Sequence, residues 1–313
     1  MAQKELKARV ASVKNVQKIT RAMEMISAAR LRRAEQRIVA LRPYASAIRR
    51  MTRHAAEAAE NIPSLPILRE RDELSNVGML LVTSDRGLAG AFNSQIVRAG
   101  VRAAEELERD GADVVFSASG RRGVGTLTFR KRTPVGAYVG FTDRPAYANA
   151  RDIASDMIAA YVDGNVDRVE IFYNHYISPL QQRVTRETLL PLQQASILEE
   201  GEEDESEEEQ RDTQRTSSAG TGEQGHRRAL VEYEPEPEEI LQRLVPVYVE
   251  ISIYRALLES TASEHGARMT AMRNASDNAG ELIDSYTLQM NRERQADITQ
   301  EIMEVVAGAE SLV

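Results

Sequence analysis

The sequence KNVQKITRAMEMISAARLRRAEQR, residues 14–37, decides the fold because it contains neither glycine nor proline within a longer segment of the same kind. From residue 4 to residue 60 glycine is absent and Pro43 is the one proline. Apolar residues recur there at alternating steps of three and four, which predicts a coiled-coil helix over residues 1–60. This first apolar stripe comprises Leu6, Val10, Val13, Ile19, Met23, Ile26, Ala34, Ile38, Leu41, Ala45 and Ile48. Pro43 is expected to kink or break the helix, since it removes a backbone donor.

A second long coiled-coil helix is predicted over residues 237–313. Pro237 suits a first helical turn, and the acidic side chains that follow it complement the helix dipole. The apolar stripe of this helix comprises Met269, Met272, Ser276, Ala279, Ile283, Tyr286, Met290, Ile298, Ile302, Val305 and Ala309. Pro246 is a predicted kink. At 1.5 Å per residue this helix would be about 110 Å long and the first helix about 85 Å long. Both are too long for a globule of this size.

Charge favours pairing of the two ends. Residues 1–53 carry 14 Lys and Arg against 3 Asp and Glu, whereas residues 237–313 carry 6 against 13. The ends are therefore electrostatic complements that could lie side by side as an antiparallel pair. Exposed ion pairs each add only about 0–1 kcal/mol, so the apolar stripes must hold the pair together.

The sequence pattern changes between residues 74 and 193, where short apolar runs alternate with turn residues. Strands are predicted at 77–83, 113–117 and 166–173, helices at 91–109 and 146–162, and a further candidate strand at 185–191. Alternation of strand and helix predicts a small Rossmann-like α/β domain with a mainly parallel sheet. The predicted fold class is mixed α+β and α/β, with this domain inserted between the two ends of a long antiparallel coiled coil.

Residues 199–230 form a different kind of segment. Nine acidic residues fall between Glu199 and Glu209, followed by Thr, Ser, Gly and Gln without periodicity. Such a segment buries too little apolar surface to offset its ordering entropy, so an acidic disordered insertion is predicted. The alternative is a regulatory contact with a basic surface on a partner.

Several kinds of site are excluded. Cysteine is absent, so disulfides, thiolate zinc sites and thiol switches cannot form. No run approaches the roughly 20 apolar residues that span a bilayer, and no secretory signal is recognisable, so membrane association is expected only through partners. The four histidines lack ligand spacing, which predicts no metal site. His265 is expected to be a packed or partly exposed residue of the second stripe.

Nucleotide motifs are also weak. The segment GRRGVG at 120–125 lacks GxGxxG spacing and is predicted to be a plain glycine-rich turn. SDRGLAG at 84–90 has no Walker lysine. Asp277, Glu281 and Asp284 share a helical face, which we interpret as solvated. No cofactor and no catalytic site are predicted in this chain.

The basic first helix allows one alternative function, because its excess positive charge could follow the phosphates of a nucleic acid. Tyr44 is the one aromatic residue in it, however, and stacking groups are usual in such proteins. The alternative is therefore an autonomous coiled-coil protein that binds nucleic acid or serves as a scaffold.

Three regions resemble one known family. Residues 14–37, with RPYA at 42–45, closely resemble the N-terminal helix of ATP synthase gamma chains, and SDRGLAGAFN at 84–93 resembles their first strand-to-helix turn. ARMTAMRNASDNA at 267–279 and NRERQADITQEIMEVVAGA at 291–309 resemble their C-terminal helix. The matches cover both ends and the middle in the right order.

The resemblance implies a noncatalytic rotor subunit of the central stalk. Its coiled coil would pass through a hexamer of alpha and beta subunits, and its α/β domain would bind the epsilon subunit and the c ring. One copy per complex would couple proton-driven rotation of the ring to ATP synthesis or hydrolysis. The complex would lie on the cytoplasmic face of the bacterial cell membrane, with this chain peripheral.

The resemblance also implies contact residues. Met23, Arg21 and Arg30 match the region that faces acidic loops of beta. A second group matches the region that hydrogen-bonds the beta subunits around the rotor: Arg294, Gln295, Thr299, Gln300 and Glu301. Two departures stand out, since the acidic insertion is longer than the usual connection and the cysteine pair of chloroplast relatives is absent. The chain is therefore expected not to be thiol-regulated.

Overall fold

The computed structural model describes residues 2–58, 66–68, 71, 73–192 and 236–310. Two long helices lie at the ends of the chain, α1 (Ala2–Ala58) and α5 (Pro237–Glu310). The predicted acidic insertion, residues 199–230, falls outside the described residues.

A five-stranded sheet with three helices lies between α1 and α5. Its elements are β1 (Asn76–Val82), α2 (Phe92–Arg109), β2 (Asp113–Ser119), α3 (Arg121–Phe129), β3 (Gly136–Tyr138), α4 (Tyr147–Val162), β4 (Arg168–Ser178) and β5 (Gln181–Leu190). The strand order is β3-β2-β1-β4-β5; β5 is antiparallel to β4 and the other neighbouring pairs are parallel. The mainly parallel sheet and the long C-terminal helix are therefore confirmed. The candidate strand at 185–191 is the second half of a hairpin, which extends β4 to Ser178.

The sheet separates two apolar layers. Leu80 and Val82 of β1 pack on one face with α4 and the first third of α5, while Met79 and Leu81 pack on the other face with α2 and α3. Successive side chains of a strand point to opposite faces, so a continuous apolar run serves both layers. Burial of α5 against the sheet makes this helix part of both the sheet core and the helix pair.

The helices α1 and α5 are antiparallel. Contacts that join them have rising numbers in α1 and falling numbers in α5. Three examples are Gln17 with Ser276 (Nε2 to O, 3.2 Å), Glu24 with Arg273 (Oε1 to Nε, 2.9 Å), and Ile48 with Ile251 in one apolar cluster. These contacts also fix the register of the pair.

The first apolar stripe was predicted wrongly in its middle. Ile19 and Ile26 are 59% and 54% exposed, whereas Thr20 and Ser27 are buried against α5. The helix is rotated there by about one residue, or 100°. Small side chains let the two backbones approach closely, and the Ser27 hydroxyl donates to the Met23 carbonyl at 2.7 Å. The Thr20 hydroxyl donates to the Gln17 carbonyl at 3.0 Å, so both buried hydroxyl groups have an acceptor.

Two further expectations are corrected. The break considered at Pro43 does not occur, since α1 continues through Pro43, and α5 likewise contains Pro246 within its length, although proline inside a helix costs roughly 3 kcal/mol. GRRGVG is not a plain turn, since Arg121 begins α3. Gly120 has φ +91° and Gly123 lies directly against Thr83, so these glycines let α3 pack closely on the end of β1.

Candidate functional site

The last part of α5 is exposed over several consecutive turns. The first turns of α1 lie beside Gln289 and Glu293 through Glu5 and Arg9, and α5 continues beyond them. We call residues 294–310 the distal segment, which spans about 25 Å. Residues 291–307 are exposed, including the stripe residue Ile302 at 57%. No helix or strand in the described part of the chain covers this segment.

The second group of predicted contact residues lies entirely on the distal segment. All of its members are exposed: Arg294, Gln295, Thr299, Gln300 and Glu301. Their contacts in the structure are short-range, since Thr299 donates to the Gln295 carbonyl at 2.8 Å and Gln300 donates to Glu304 at 2.9 Å. The five residues lie within about 11 Å of one another along the helix axis. The Arg294 guanidinium is exposed and has no partner among the described residues, so another subunit can bind it.

The first predicted group lies elsewhere. Arg21 is exposed and Met23 is partly buried on α1, one turn from the Glu24–Arg273 pair. About 30 Å of helix therefore separates this group from Arg294. Arg30 is bound within the chain, because its guanidinium pairs with Asp143 in the loop before α4.

Sequence reasoning missed an exposed apolar face beside this group. Val16, Ile19 and Ile26 are 49% to 59% exposed on one face of α1. The seven-residue step from Ile19 to Ile26 was the available signal, but the same spacing places both residues in the predicted first apolar stripe. Scattered apolar side chains are ordinary on a surface, whereas several on one helical face indicate contact with a partner.

A buried polar cluster joins the sheet to α5. Arg268 donates to the Gly87 carbonyl through Nη2 at 3.1 Å and Nε at 3.3 Å, and it pairs with Glu264. Burial raises the pKa of Glu264, although Arg268 partly opposes the shift. Burial, helped by Arg268, lowers the pKa of His265 to about 4. His265 is therefore a buried neutral residue, as packing in the second stripe predicted.

The loop SDRGLAG is held mainly by Asp85. Its carboxylate accepts the backbone N–H groups of Gly140 at 2.9 Å, Thr142 at 3.2 Å and Arg121 at 3.1 Å, and also the Thr142 hydroxyl. Burial would raise the pKa of Asp85, but these bonds together lower it. Asp85 therefore fixes the position of the β1–α2 turn, a role that the sequence motif did not reveal.

Across the described ranges, no three His, Asp or Glu side chains converge in a way that could hold a metal ion. None of the described helices has an apolar stretch sufficient to cross a bilayer. Asp277, Glu281 and Asp284 are exposed on α5, as predicted for a solvated face.

The fold and the surfaces together define a class of protein, a shaft-like subunit of a larger assembly. The family described as ATP synthase matches residues 2–312. The ATP synthase gamma chain of Rubrobacter xylanophilus is 41% identical over 99% of this chain and 98% of its own length. That of Streptomyces coelicolor is 40% identical over 98% of this chain and 94% of its own length. This chain belongs to the ATP synthase gamma chain family.

Solved structures agree with that fold. A chain from the mitochondrial ATP synthase central stalk and c ring of Tetrahymena thermophila has TM-score 0.56 and 24% identity, over 82% of this chain and 99% of that one. A chain from the Euglena gracilis mitochondrial ATP synthase, in a structure of OSCP, F1 and c ring, has TM-score 0.65 and 17% identity, over 99% and 94%.

Family membership confirms the resemblance found in the sequence. Gamma chains are noncatalytic central-stalk subunits of ATP synthase, a membrane-associated complex. The autonomous nucleic-acid-binding or scaffold protein is not favoured.

Proposed function

We propose that this chain is the rotor that couples rotation of the c ring to ATP synthesis or hydrolysis in a hexamer of alpha and beta subunits. The observation that carries the proposal is the distal segment of α5, a helix of about 25 Å that extends beyond α1 with all of residues 291–307 exposed. Isolated helices of this length are marginal in water, so a surrounding partner is the natural source of its stability.

The chemistry of the distal segment suits a turning contact. Its end, Ile302 to Val306, is mostly apolar and includes Val305 at 72% exposure. An apolar surface without fixed ion pairs can slide within an apolar sleeve at low cost. About two turns earlier, Arg294 and Gln295 offer polar groups that can bind a beta subunit at particular angles of rotation.

The contacts with beta extend to α1. Met23 and the exposed Ile19 and Ile26 lie on one face of α1, and Arg21 adds positive charge on the other flank of the helix, where acidic loops could bind it. Arg30 contributes from the edge of this face, where it also binds Asp143.

The wider assembly follows from the same family. We propose that residues 1–60 and 237–313 form a coiled coil, and that the domain of residues 74–193 binds the epsilon subunit and the c ring. One copy of the chain would serve each complex, as a peripheral subunit on the cytoplasmic face of the bacterial cell membrane. The acidic insertion has no assigned role in this scheme.

The test combines Arg294→Ala with Gln295→Ala in the complex reconstituted from alpha, beta and this chain. Loss of one or two polar contacts made at a particular rotation angle should lower ATP turnover roughly tenfold. Arg102→Ala, an exposed arginine on α2, is the matched control and should leave turnover unchanged. The urea unfolding of the isolated chain should be the same in all three proteins.

Unaltered turnover in the double variant would contradict the proposed role of these residues. The assignment as a whole is tested by purifying the tagged chain from its own cells. Failure of ATP synthase alpha and beta subunits to co-purify would overturn it.

A further inference from the structure

A cavity rich in arginine lies where α1, α5 and the loop before α4 meet. It has a volume of about 440 Å³. Arg30, Arg33 and Arg37 line it from α1, and Arg144 lines it from the loop. We call this space the cationic cavity.

The cationic cavity contains little negative charge. Asp143 is the one carboxylate among its lining residues, and it pairs with Arg30 and, at 3.4 Å, with Arg86. His265 also lines the cavity, but burial keeps it neutral near pH 7 by lowering its pKa to about 4. Four guanidinium groups therefore face a single carboxylate.

Three of these guanidinium groups lack partners. Among the residues that the structure describes, no carboxylate or carbonyl pairs with the side chain of Arg33, Arg37 or Arg144. Residues 30, 33 and 37 share one helical face at steps of three and four, where like charges repel one another. Positive charge is thus concentrated at this place, and Asp143 is the one counterion among the described residues that line the cavity.

The floor of the cavity strengthens attraction for an anion. Ala34 and Leu258 are apolar, and the Thr261 hydroxyl is occupied, since it lies 2.9 Å from the Thr142 carbonyl and 2.7 Å from the Leu257 carbonyl. Electrostatic attraction is larger beside such low-polarity walls than in open water. The volume also falls within the roughly 300–1,000 Å³ that is usual for small-molecule sites.

We propose that the cationic cavity binds a phosphoryl oxyanion. The planar fork of a guanidinium matches two oxygens of a phosphate group, and several forks that converge on one space suit a multiply charged anion. A bound dianion would offset most of the excess charge.

The phosphoryl group could come from free inorganic phosphate or from a nucleotide. A neighbouring groove lined by Tyr44, Tyr147 and Tyr254 shares Arg37 with the cavity, so a nucleotide would find aromatic surface beside its phosphates. Both sources use the same arginines.

The site has a mechanical consequence. Arg33 and Arg37 belong to the helix pair, whereas Arg144 belongs to the loop that precedes α4 of the sheet domain. One anion held by both would fasten the sheet domain to α1. Phosphate should therefore raise the thermal unfolding temperature of the chain.

The experiment is isothermal titration of the purified full-length chain with inorganic phosphate, at ionic strength held constant with potassium chloride. Saturable binding is expected, and Arg37→Gln and Arg144→Gln should each weaken it about tenfold. Arg32→Gln is the matched control, because Arg32 is exposed on α1 next to Arg33 but does not line the cavity. This variant should bind phosphate as the native chain does.

Parallel titrations with ADP and adenosine identify the source. If ADP competes with phosphate and adenosine does not bind, the site is assigned to nucleotide phosphates. If phosphate binds saturably and ADP does not compete, the site is assigned to free phosphate. The proposal is overturned if neither phosphate nor ADP binds saturably, if adenosine binds as well as ADP, or if Arg32→Gln weakens binding as much as Arg37→Gln. The titrations use this chain alone, so their outcome is independent of assembly with alpha and beta.

Discussion

The guanidinium of Arg268 on α5 donates to the backbone carbonyl of Gly87, with Nη2 3.1 Å from the oxygen, across 181 residues of sequence. The same side chain pairs with Glu264, and both side chains are buried, at 8% and 2% exposure. The turn that follows β1 is thereby fastened to the helix that carries the distal segment. A torque applied to the sheet domain can pass to α5 through this cluster as well as through the apolar core.

Arg268→Ala should lower the free energy of unfolding by about 3 kcal/mol, because it leaves a buried carboxylate and a carbonyl without their partner. Arg273→Ala removes an arginine from the more exposed pair with Glu24 and should cost about 0–1 kcal/mol. Urea unfolding of the isolated chain measures both. Equal losses in the two variants would show that the buried cluster contributes no more to the free energy of unfolding than the exposed pair.

Stability should depend on His265 between pH 7.5 and pH 5. The folded pKa, about 4, lies below the unfolded value of 6.5, so the unfolded state binds the proton first and stability falls as pH falls. The loss from this group over that range is about 2 kcal/mol. Glu264, whose pKa is raised, acts in the opposite direction.

The contribution of His265 is therefore obtained by difference from His265→Gln. The native chain should lose about 2 kcal/mol more than this variant between pH 7.5 and pH 5, as measured by urea unfolding. A pH dependence that is identical in both proteins would show that His265 is not buried as a neutral group.

The rotation of α1 predicts opposite outcomes at two adjacent positions. Ser27→Leu forces a large side chain between α1 and α5 and should cost about 1–3 kcal/mol of stability. Ile26→Ser changes an exposed side chain and should alter stability by less than about 0.5 kcal/mol. Ile26→Ser should nevertheless weaken assembly with alpha and beta, which size-exclusion chromatography of the mixed subunits would detect. A large loss of stability in Ile26→Ser would show that Ile26 is buried, as the first apolar stripe predicts.

Two glycines of α3 provide a further pair. A Cβ at Gly123 would lie 2.4 Å from Thr83 Oγ1, so Gly123→Ala should destabilise the chain by about 1–3 kcal/mol. A Cβ at Gly125 meets nothing within 4 Å, and Gly125→Ala should stabilise the chain by about 0.5–1 kcal/mol through helix propensity. Thermal unfolding compares the two. The same sign for both substitutions would contradict the close packing of α3 on β1.

Much of the sheet could be predicted because its signals are local. The runs around β1, β2 and β4 are apolar, turn residues bound them, and the helices between them have clear periodicity. The hairpin of β4 and β5 was only half recognised. Its outer residues, such as Gln182 and Arg183, are polar, since an edge strand needs burial on one face at most.

The candidate contact surfaces divide in the same way. That one helix extends beyond the other follows from their predicted lengths, whereas the place of the extension at Arg294 depends on the register, which the sequence leaves open. The engagement of Arg30 with Asp143 does not follow, because it depends on a loop 113 residues away. The exposed face of Ile19 and Ile26 was likewise hidden, since the same spacing fits a buried stripe.

The sequence by itself determined the two long helices, the alternating sheet elements, the segregation of charge between the chain ends and the family resemblance. Each of these depends on the spacing of residues close in sequence or on a motif. Only the tertiary structure decided which face of α1 meets α5, that Pro43 and Pro246 remain within helices, and that arginines converge on one cavity. These depend on packing between residues far apart in sequence, where contact energies outweigh local preference.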